Sequence, residues 1–204
     1  MESCGRESKG RDMMELPPKP SRDELTERAA RVRLLVFDVD GVLTDGGLYY
    51  GEGGEVMKRF DVKDGHALVM ARLAGLRTAI LTARTSSIVE VRGLELGVTS
   101  VLQGRKNKLA GFRELLEQLE ASPEECAYMG DDVNDLGPLG LAGLSACPAD
   151  AVPEVRQEVH YVARSRGGHG AARELVELCL RASGRWEATV QHMRDPDALQ
   201  AVKL

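Results

Sequence analysis

Short apolar segments alternate with segments of helical spacing along most of the chain, and this alternation restricts the possible folds more than any other feature. The clearest apolar segment is Leu34-Leu35-Val36-Phe37, a continuous run that polar residues follow at once, as is typical of a strand buried on both faces. Similar runs predict further strands over 78–81, 100–102, 126–129, 144–147 and 161–163, and helical spacing predicts helices over 66–73, 87–96, 108–119 and 171–182. The alternation predicts an α/β fold in which helices cover both faces of a mostly parallel sheet.

Two β-prone runs flank a glycine-rich turn between the first strand and the first of these helices. Leu48-Tyr49-Tyr50 precedes Gly51-Glu52-Gly53-Gly54, and a second run follows, which predicts a β-hairpin insertion over 47–60. The hairpin and the helix fill the stretch between Asp40 and Thr82. No room remains there for a separate cap domain of ~60 residues or more, so we expect none.

The length of 204 residues favours a single domain, which we place at residues 32–183. Residues 1–31 are charged and contain Pro17-Pro18-Lys19-Pro20, a composition that predicts a mobile arm ending in a short helix over 22–31. Residues 184–204 are expected to form a C-terminal tail.

Charge and composition exclude several classes of partner. The net charge of −5 argues against binding to a nucleic-acid backbone. No apolar run approaches the ~18 residues needed to span a bilayer, so we expect no membrane association. The four cysteines are widely scattered, which disfavours a zinc site or a disulfide framework and fits a cytoplasmic location.

Polar side chains stand where the predicted strands end. Asp38 and Asp40 follow the first strand, Thr82 the second and Asp131 the fourth, and Lys108 comes shortly after the third. Each residue alone would be typical of a turn or a helix cap. Because ligands of parallel sheets bind at the carboxyl ends of the strands, the set as a whole predicts one site.

The chemistry of these residue types is that of phosphoryl transfer. Clustered carboxylates repel one another unless a cation joins them, and oxygen ligands select a hard ion such as Mg²⁺. Mg²⁺, the Lys108 ammonium and the Thr82 hydroxyl would neutralise an incoming phosphate. Asp38 could then attack phosphorus, and a second acid such as Asp40 could protonate the departing alkoxide and deprotonate the attacking water.

The order of these motifs resembles that of the haloacid dehalogenase superfamily of phosphatases. The motifs are Asp38-Val39-Asp40-Gly41-Val42 with Leu43-Thr44-Asp45-Gly46, then Thr82-Ala83-Arg84, then a lysine after Gln103-Gly104, then Gly130-Asp131-Asp132. The hairpin ending in Lys58-Arg59-Phe60, Asp64-Gly65 and the later Gly167-Gly168-His169-Gly170 resemble its small capless branch, which includes phosphatases of 3-deoxy-D-manno-octulosonate 8-phosphate. The resemblance covers residues 34–180 and implies a three-layer, Rossmann-like fold.

The resemblance also implies roles for the acidic residues. Asp38 would be the nucleophile and Asp40 the general acid and base. Asp38, the backbone carbonyl of Asp40 and Asp131 would hold Mg²⁺, with Asp132 and Asp135 in support.

Further implied roles concern the substrate. Thr82 and Lys108 would hold the phosphoryl oxygens of a small sugar-acid phosphate. The family also forms homotetramers, in which a neighbour's hairpin and C-terminal segment cover the open site. The positions that match sugar-acid contacts in the family are Asp61, Val62, Lys63, Asp64, Gly65, Arg84 and Arg92.

Several alternatives stay open at this point. Lys63, Val69, Ala83 and Asn107 depart from the octulosonate pattern, so a nine-carbon, sialic-acid-type 9-phosphate is a second candidate substrate. An octulosonate product would serve lipopolysaccharide synthesis. A catalytically silent binding subunit is a further alternative, whereas a response-regulator receiver is disfavoured because its acidic pair precedes the phospho-acceptor on separate strands.

Overall fold

A six-stranded parallel sheet forms the centre of the computed structural model, which describes residues 19–194. In chain order the strands are β1 (Leu34–Phe37), β2 (Tyr49–Gly51), β3 (Gly54–Met57), β4 (Arg77–Leu81), β5 (Ser100–Leu102), β6 (Cys126–Met129), β7 (Leu144–Cys147) and β8 (Tyr161–Val162). The central sheet has the order β5-β4-β1-β6-β7-β8, and β2 pairs only with β3 in the antiparallel hairpin. Because β4 and β6 flank β1, their carboxyl ends converge on the residue that follows β1.

Helices cover both faces of this sheet. They are α1 (Arg22–Arg31), α2 (Val62–Leu73), α3 (Ser87–Leu96), α4 (Lys108–Gln118), α5 (Leu136–Leu141), α6 (Pro153–Glu158), α7 (Ala171–Ala182) and α8 (Trp186–His192). Successive β1 side chains alternate between two cores, with Leu35 in the core that contains α2 and α7 and Val36 in the core that contains α4 and α6. The predicted α/β class with its mostly parallel sheet and hairpin insertion is confirmed. Residues 40–82 hold only a turn, the hairpin, α2 and β4, so this stretch contains no cap domain.

The folded body extends beyond both boundaries expected from the sequence. The predicted helix over 22–31 is present as α1, but it packs on the core, where Ala29 is fully buried, and Arg28 donates to the carbonyl of Gly143 at 2.8 Å. At the other end, Thr189 of α8 is buried, and the centre of the Trp186 ring lies 4.3 Å from Cζ of Arg181. The body therefore begins before residue 32 and continues past residue 183, while residues 1–18 and 195–204 lie outside the described part.

Secondary structure departs from the predictions in three further places. Helix α2 begins at Val62 rather than at residue 66, and the short helices α5 and α6 were not predicted. Across residues 19–194, no helix has the length and apolarity required to cross a membrane. Cys126, Cys147 and Cys179 are buried and free, whereas Cys4 lies outside the described residues.

Candidate active site

The turn after β1 brings Asp38 close to Asp131, which follows β6. Asp38 continues the sheet by donating its N–H to the carbonyl of Met129 at 3.0 Å, which fixes it beside the end of β6. Gly41 has a φ of 87°, in the left-handed region that favours glycine. A Cβ built on Gly41 would lie 2.0 Å from Oδ2 of Asp131. The glycine therefore serves both the backbone turn and the close approach of Asp131.

Lys108 joins two of the carboxylates. It is the first residue of α4, whose N-terminus is capped by the Asn107 side chain, an acceptor for the N–H of Ala110 at 3.0 Å. The buried Nζ lies 2.9 Å from Oδ2 of Asp38 and 2.7 Å from Oδ1 of Asp135. Burial alone would lower the pKa of Lys108, but the two carboxylates outweigh it and raise the pKa.

Asp135, expected in a supporting role, lies at the centre of a hydrogen-bond network beneath the site. Its side chain is fully buried and accepts from the Tyr128 hydroxyl at 2.6 Å and from the N–H of Asp131 at 3.2 Å, in addition to Lys108. The role of Tyr128 was missed because its strand shows only an apolar run. Since both oxygens of Asp135 have donors, this residue is suited to orienting Lys108 and the Asp131 loop.

The carboxylate cluster has the composition of a site for a hard cation. One carboxylate oxygen each from Asp38, Asp131 and Asp135 lies within 4.8 Å of the other two. Burial and the neighbouring Asp135 raise the pKa of Asp38 to about 7, and burial and the charge of Asp38 raise the pKa of Asp131 to about 8. A cluster of carboxylate oxygens with excess negative charge is suited to binding Mg²⁺. Asp132 is not among these three residues, although it lines the adjoining cavity, and its exposed side chain accepts from the N–H of Val133 at 2.7 Å.

A cavity of about 150 Å³ opens over these groups. Thr82 lies in its wall with a buried side chain, and its hydroxyl accepts from the N–H of Arg84 at 3.3 Å. The cavity brings together the strand-end residues expected from the sequence and one of the expected substrate contacts. Its lining includes Asp38, Asp40, Thr82, Arg84, Lys108 and Asp131.

Two hairpin residues, Lys58 and Glu55, form ion pairs beside this cavity, although neither was expected there. The Lys58 side chain is only 1% exposed and makes ion pairs with Asp40 and, at 3.0 Å, with Glu55. Arg84 adds to the same group, with Nε 3.7 Å from Oδ2 of Asp40. In the sequence, Lys58 is followed by another basic residue at the end of a hairpin, a pattern that is equally typical of solvated side chains. The sequence therefore does not distinguish a buried Lys58 from a solvated one.

Asp64 and Gly65, expected to contact substrate, are buried between elements. The carboxylate of Asp64 accepts from the N–H groups of Gly170 and Arg173, at 3.0 and 2.8 Å, and so caps the N-terminus of α7. A Cβ on Gly65 would lie 2.2 Å from a guanidinium nitrogen of Arg92. Both residues thus serve the packing of α2 against its neighbours.

The remaining expected substrate contacts lie outside the cavity. Asp61 caps α2 by accepting from the N–H of Lys63 at 2.7 Å, and Val62 is 80% exposed. Arg92 pairs with Glu95 at 2.7 Å. Within residues 19–194 of one chain, Arg84 alone among the seven expected contacts lines the cavity.

The glycine-rich segment before α7 packs on the turn after β1 in its own chain. The N–H of Gly168 donates to the carbonyl of Val42 at 2.9 Å, and a Cβ on Gly167 would lie 1.7 Å from the carbonyl oxygen of Gly41. Only glycine at position 167 allows the segment to lie this close to Gly41. The contact supports the turn that follows Asp38.

Comparison with known proteins agrees with this geometry. The sequence profile of the haloacid dehalogenase-like hydrolases matches residues 49–143. The 3-deoxy-D-manno-octulosonate 8-phosphate phosphatase of Yersinia pestis is 42% identical over 168 residues, which cover 82% of this chain and 90% of the relative. The chain belongs to the haloacid dehalogenase-like hydrolase family. A corresponding phosphatase of Escherichia coli K12 is 43% identical over 81% of this chain and 88% of its own.

A solved structure of this family also carries ligands. It is the 3-deoxy-D-manno-octulosonate 8-phosphate phosphatase of Moraxella catarrhalis in complex with a magnesium ion, a phosphate ion and a KDO molecule. It is 34% identical, superposes with a TM-score of 0.82, and the match covers 85% of this chain and 99% of that one.

Proposed function

We propose that this chain is a Mg²⁺-dependent phosphatase that hydrolyses 3-deoxy-D-manno-octulosonate 8-phosphate through an aspartyl-phosphate on Asp38. The observation that carries the proposal is the position of Asp38 at the end of β1, 2.9 Å from the buried Lys108 ammonium and within an oxygen-ligand cluster. The relatives of Yersinia pestis and Escherichia coli, each more than two-fifths identical, are phosphatases of this sugar phosphate.

The first half-reaction transfers the phosphoryl group to the protein. A carboxylate oxygen of Asp38 attacks phosphorus, a P–O bond to Asp38 forms, and the ester P–O bond breaks while Asp40 gives its proton to the departing sugar alkoxide. Lys108 and Thr82 lie in the same cavity and hold the phosphoryl oxygens. When bound by Asp38, Asp131 and the Asp40 carbonyl, Mg²⁺ supplies positive charge that offsets the repulsion between carboxylate and phosphate.

The second half-reaction restores the enzyme. Asp40, now ionised, takes a proton from a water molecule as that water attacks phosphorus. The bond between phosphorus and the Asp38 oxygen breaks, and inorganic phosphate leaves. Asp40 ends protonated and Asp38 ionised, so the proton balance closes over one turnover.

Substrate contacts are divided between the chain's own cavity and a neighbouring copy in this proposal. Arg84 lines the cavity, and we expect it to contact the sugar acid. Lys63 and Arg92 lie outside the cavity of the same chain, so any contact with the sugar acid would be to substrate bound by another subunit of a homotetramer. Val69, one of the departures from the family pattern, is 2% exposed and belongs to the core, so it bears on packing rather than on substrate.

The second candidate substrate is a nine-carbon ulosonic acid 9-phosphate, because Lys63 offers a single ammonium where a guanidinium is commoner in the octulosonate enzymes. The deciding experiment measures phosphate release with Mg²⁺ from the eight-carbon 8-phosphate, two nine-carbon 9-phosphates and an aryl phosphate. We expect a kcat/KM of about 10⁴ M⁻¹s⁻¹ or more on the eight-carbon substrate alone. Preference for a nine-carbon substrate would reassign the substrate, and no release from any of them would favour a silent binding subunit.

A further inference from the structure

The hairpin delivers a buried lysine to the carboxylate that we assign as acid and base. Lys58 directly follows β3, and its side chain is 1% exposed. Two residues later, Phe60 forms an antiparallel bridge with Thr44, at the end of the turn after β1. The backbone around Lys58 is therefore anchored to the same turn that carries Asp40.

Asp40 belongs to a closed group of two cations and two carboxylates. Lys58 pairs with Oδ1 of Asp40, and Arg84 lies 3.7 Å from its Oδ2. On the far side, Oε1 of Glu55 lies 3.0 Å from the Lys58 ammonium and 3.6 Å from the Arg84 guanidinium. Glu55 is itself held by the hydroxyl of Ser86, at the start of α3. The group thus ties Asp40 to the hairpin and to the segment before α3.

Burial of Lys58 calls for a physical account, because removing an ammonium from water is unfavourable unless carboxylates compensate it. Lys58 does not line the catalytic cavity, unlike Lys108 and Arg84, so it has no direct route to the phosphate. Its contacts are with Asp40 and Glu55. Any effect of Lys58 on the reaction therefore passes through Asp40.

We propose that Lys58 is a positioning residue that holds the Asp40 carboxyl in the rotamer from which it reaches the leaving oxygen. This inference rests on the proposed phosphatase function and adds that acid–base catalysis depends on a residue of the hairpin. A general acid must lie within about 3 Å of the oxygen that it protonates, so a carboxyl free to leave that rotamer loses efficiency. Glu55 and Ser86 set the position of Lys58 in turn.

The leaving group distinguishes positioning of the acid from a general structural role. A sugar alkoxide needs a proton to depart, whereas the p-nitrophenolate ion departs without one. For Lys58→Met we expect kcat on the sugar-acid phosphate to fall about 30-fold or more, since general acid catalysis contributes about 10²–10⁴-fold. On p-nitrophenyl phosphate we expect a fall of less than about threefold in the first half-reaction, measured as the burst of p-nitrophenolate.

Matched variants complete the test. Lys106→Met makes the same substitution at an exposed lysine outside the cavity, and we expect both rates to be unchanged. Asp40→Asn should show the same dependence on leaving group, and adding Lys58→Met to it should cause little further loss, because the lysine acts only through Asp40. If Lys58→Met does not fold, as judged by thermal unfolding, Lys58→Gln keeps a donor in place and should show the same dependence with a smaller amplitude.

Equal losses on both substrates, or additive losses in the double variant, would overturn the role of Lys58 while leaving the phosphatase function standing. A wild-type protein that releases phosphate from neither substrate would overturn the proposed function and this inference with it.

Discussion

Three carboxylates and one ammonium share the space at the end of β1, and their charges do not balance without a cation. When all three are ionised, Asp38, Asp131 and Asp135 contribute three negative charges, while the single ammonium of Lys108 contacts two of them. This imbalance, together with burial, is why the pKa values of Asp38 and Asp131 are raised to about 7 and about 8. A bound cation would remove the imbalance, so binding of metal and loss of protons are linked at these residues.

Replacement of Asp38, the proposed nucleophile, tests the covalent mechanism. For Asp38→Asn we expect turnover to fall by more than about 100-fold, equivalent to roughly 3 kcal/mol of barrier, because the amide cannot form the phosphoryl bond. Thermal unfolding of the metal-free variant should occur at the same temperature or higher, since a buried charge is removed. Asp23→Asn, an exposed change on α1, serves as the control. Activity above about a hundredth of wild type would contradict the assignment of Asp38.

The raised pKa values predict a pH-dependent response to metal. In the unfolded chain both carboxyls titrate near 3.8, so the metal-free fold is increasingly destabilised as the pH rises from about 4 to about 8. Mg²⁺ binds the ionised carboxylates and offsets this loss. The increase in Tm caused by Mg²⁺ should therefore be larger at about pH 8.5 than at about pH 6, and chelation should reverse it. An increase of the same size at both pH values would contradict this linkage.

At the scale of elements, one buried carboxylate adds hydrogen bonds to the apolar contact between α2 and α7. Asp64 caps α7 from α2, so Asp64→Ala should destabilise the protein by about 1–2 kcal/mol and lower Tm by a few degrees. Asp64→Asn keeps an acceptor and should lose less. In the folded fraction, KM should be unchanged, because Asp64 does not line the cavity. A large rise in KM with little loss of stability would instead restore the substrate contact that the family resemblance implies.

Elements that have a clear local sequence pattern, such as an apolar run, were predictable from the sequence. Elements whose conformation depends on tertiary contacts were not. The buried strands follow directly from their apolar runs. The first turn of α2 was missed because Asp64-Gly65 resembles a turn, whereas its helical conformation depends on the Asp61 cap and on the approach of Arg92 to Gly65. Helix α5 contains two glycines and a proline, and its position is set by packing rather than by propensity.

The same distinction applies to the site. Strand-end residues such as Asp38, Thr82 and Asp131 were found because parallel topology alone brings them together. Lys58 and Tyr128 were not, because the hairpin docking and the Asp135 network that give them partners are set by tertiary structure.

At the scale of the whole molecule, the hairpin and α3 both carry exposed apolar side chains. Tyr50 and Val56 of the hairpin are each 60% exposed, and Leu94 of α3 is 76% exposed. Large apolar side chains that are exposed in one chain are often buried in an interface between proteins. Within residues 19–194, the cavity at the end of β1 opens to the surface, so a second copy could both bury these side chains and shield the cavity from water.

Self-association should therefore control activity as well as mass. We expect light scattering at micromolar concentration to give about four times the chain mass of 22.2 kDa, as for a homotetramer. Val56→Glu places a charge on the exposed hairpin and should shift the protein toward smaller species, because an unpaired carboxylate is unfavourable in a buried interface. The same variant should lose kcat/KM on the sugar-acid phosphate in proportion to dissociation. Thr26→Glu, which adds the same charge on the exposed face of α1, should change neither mass nor rate. A wild-type monomer with full activity would show that one chain completes its own site.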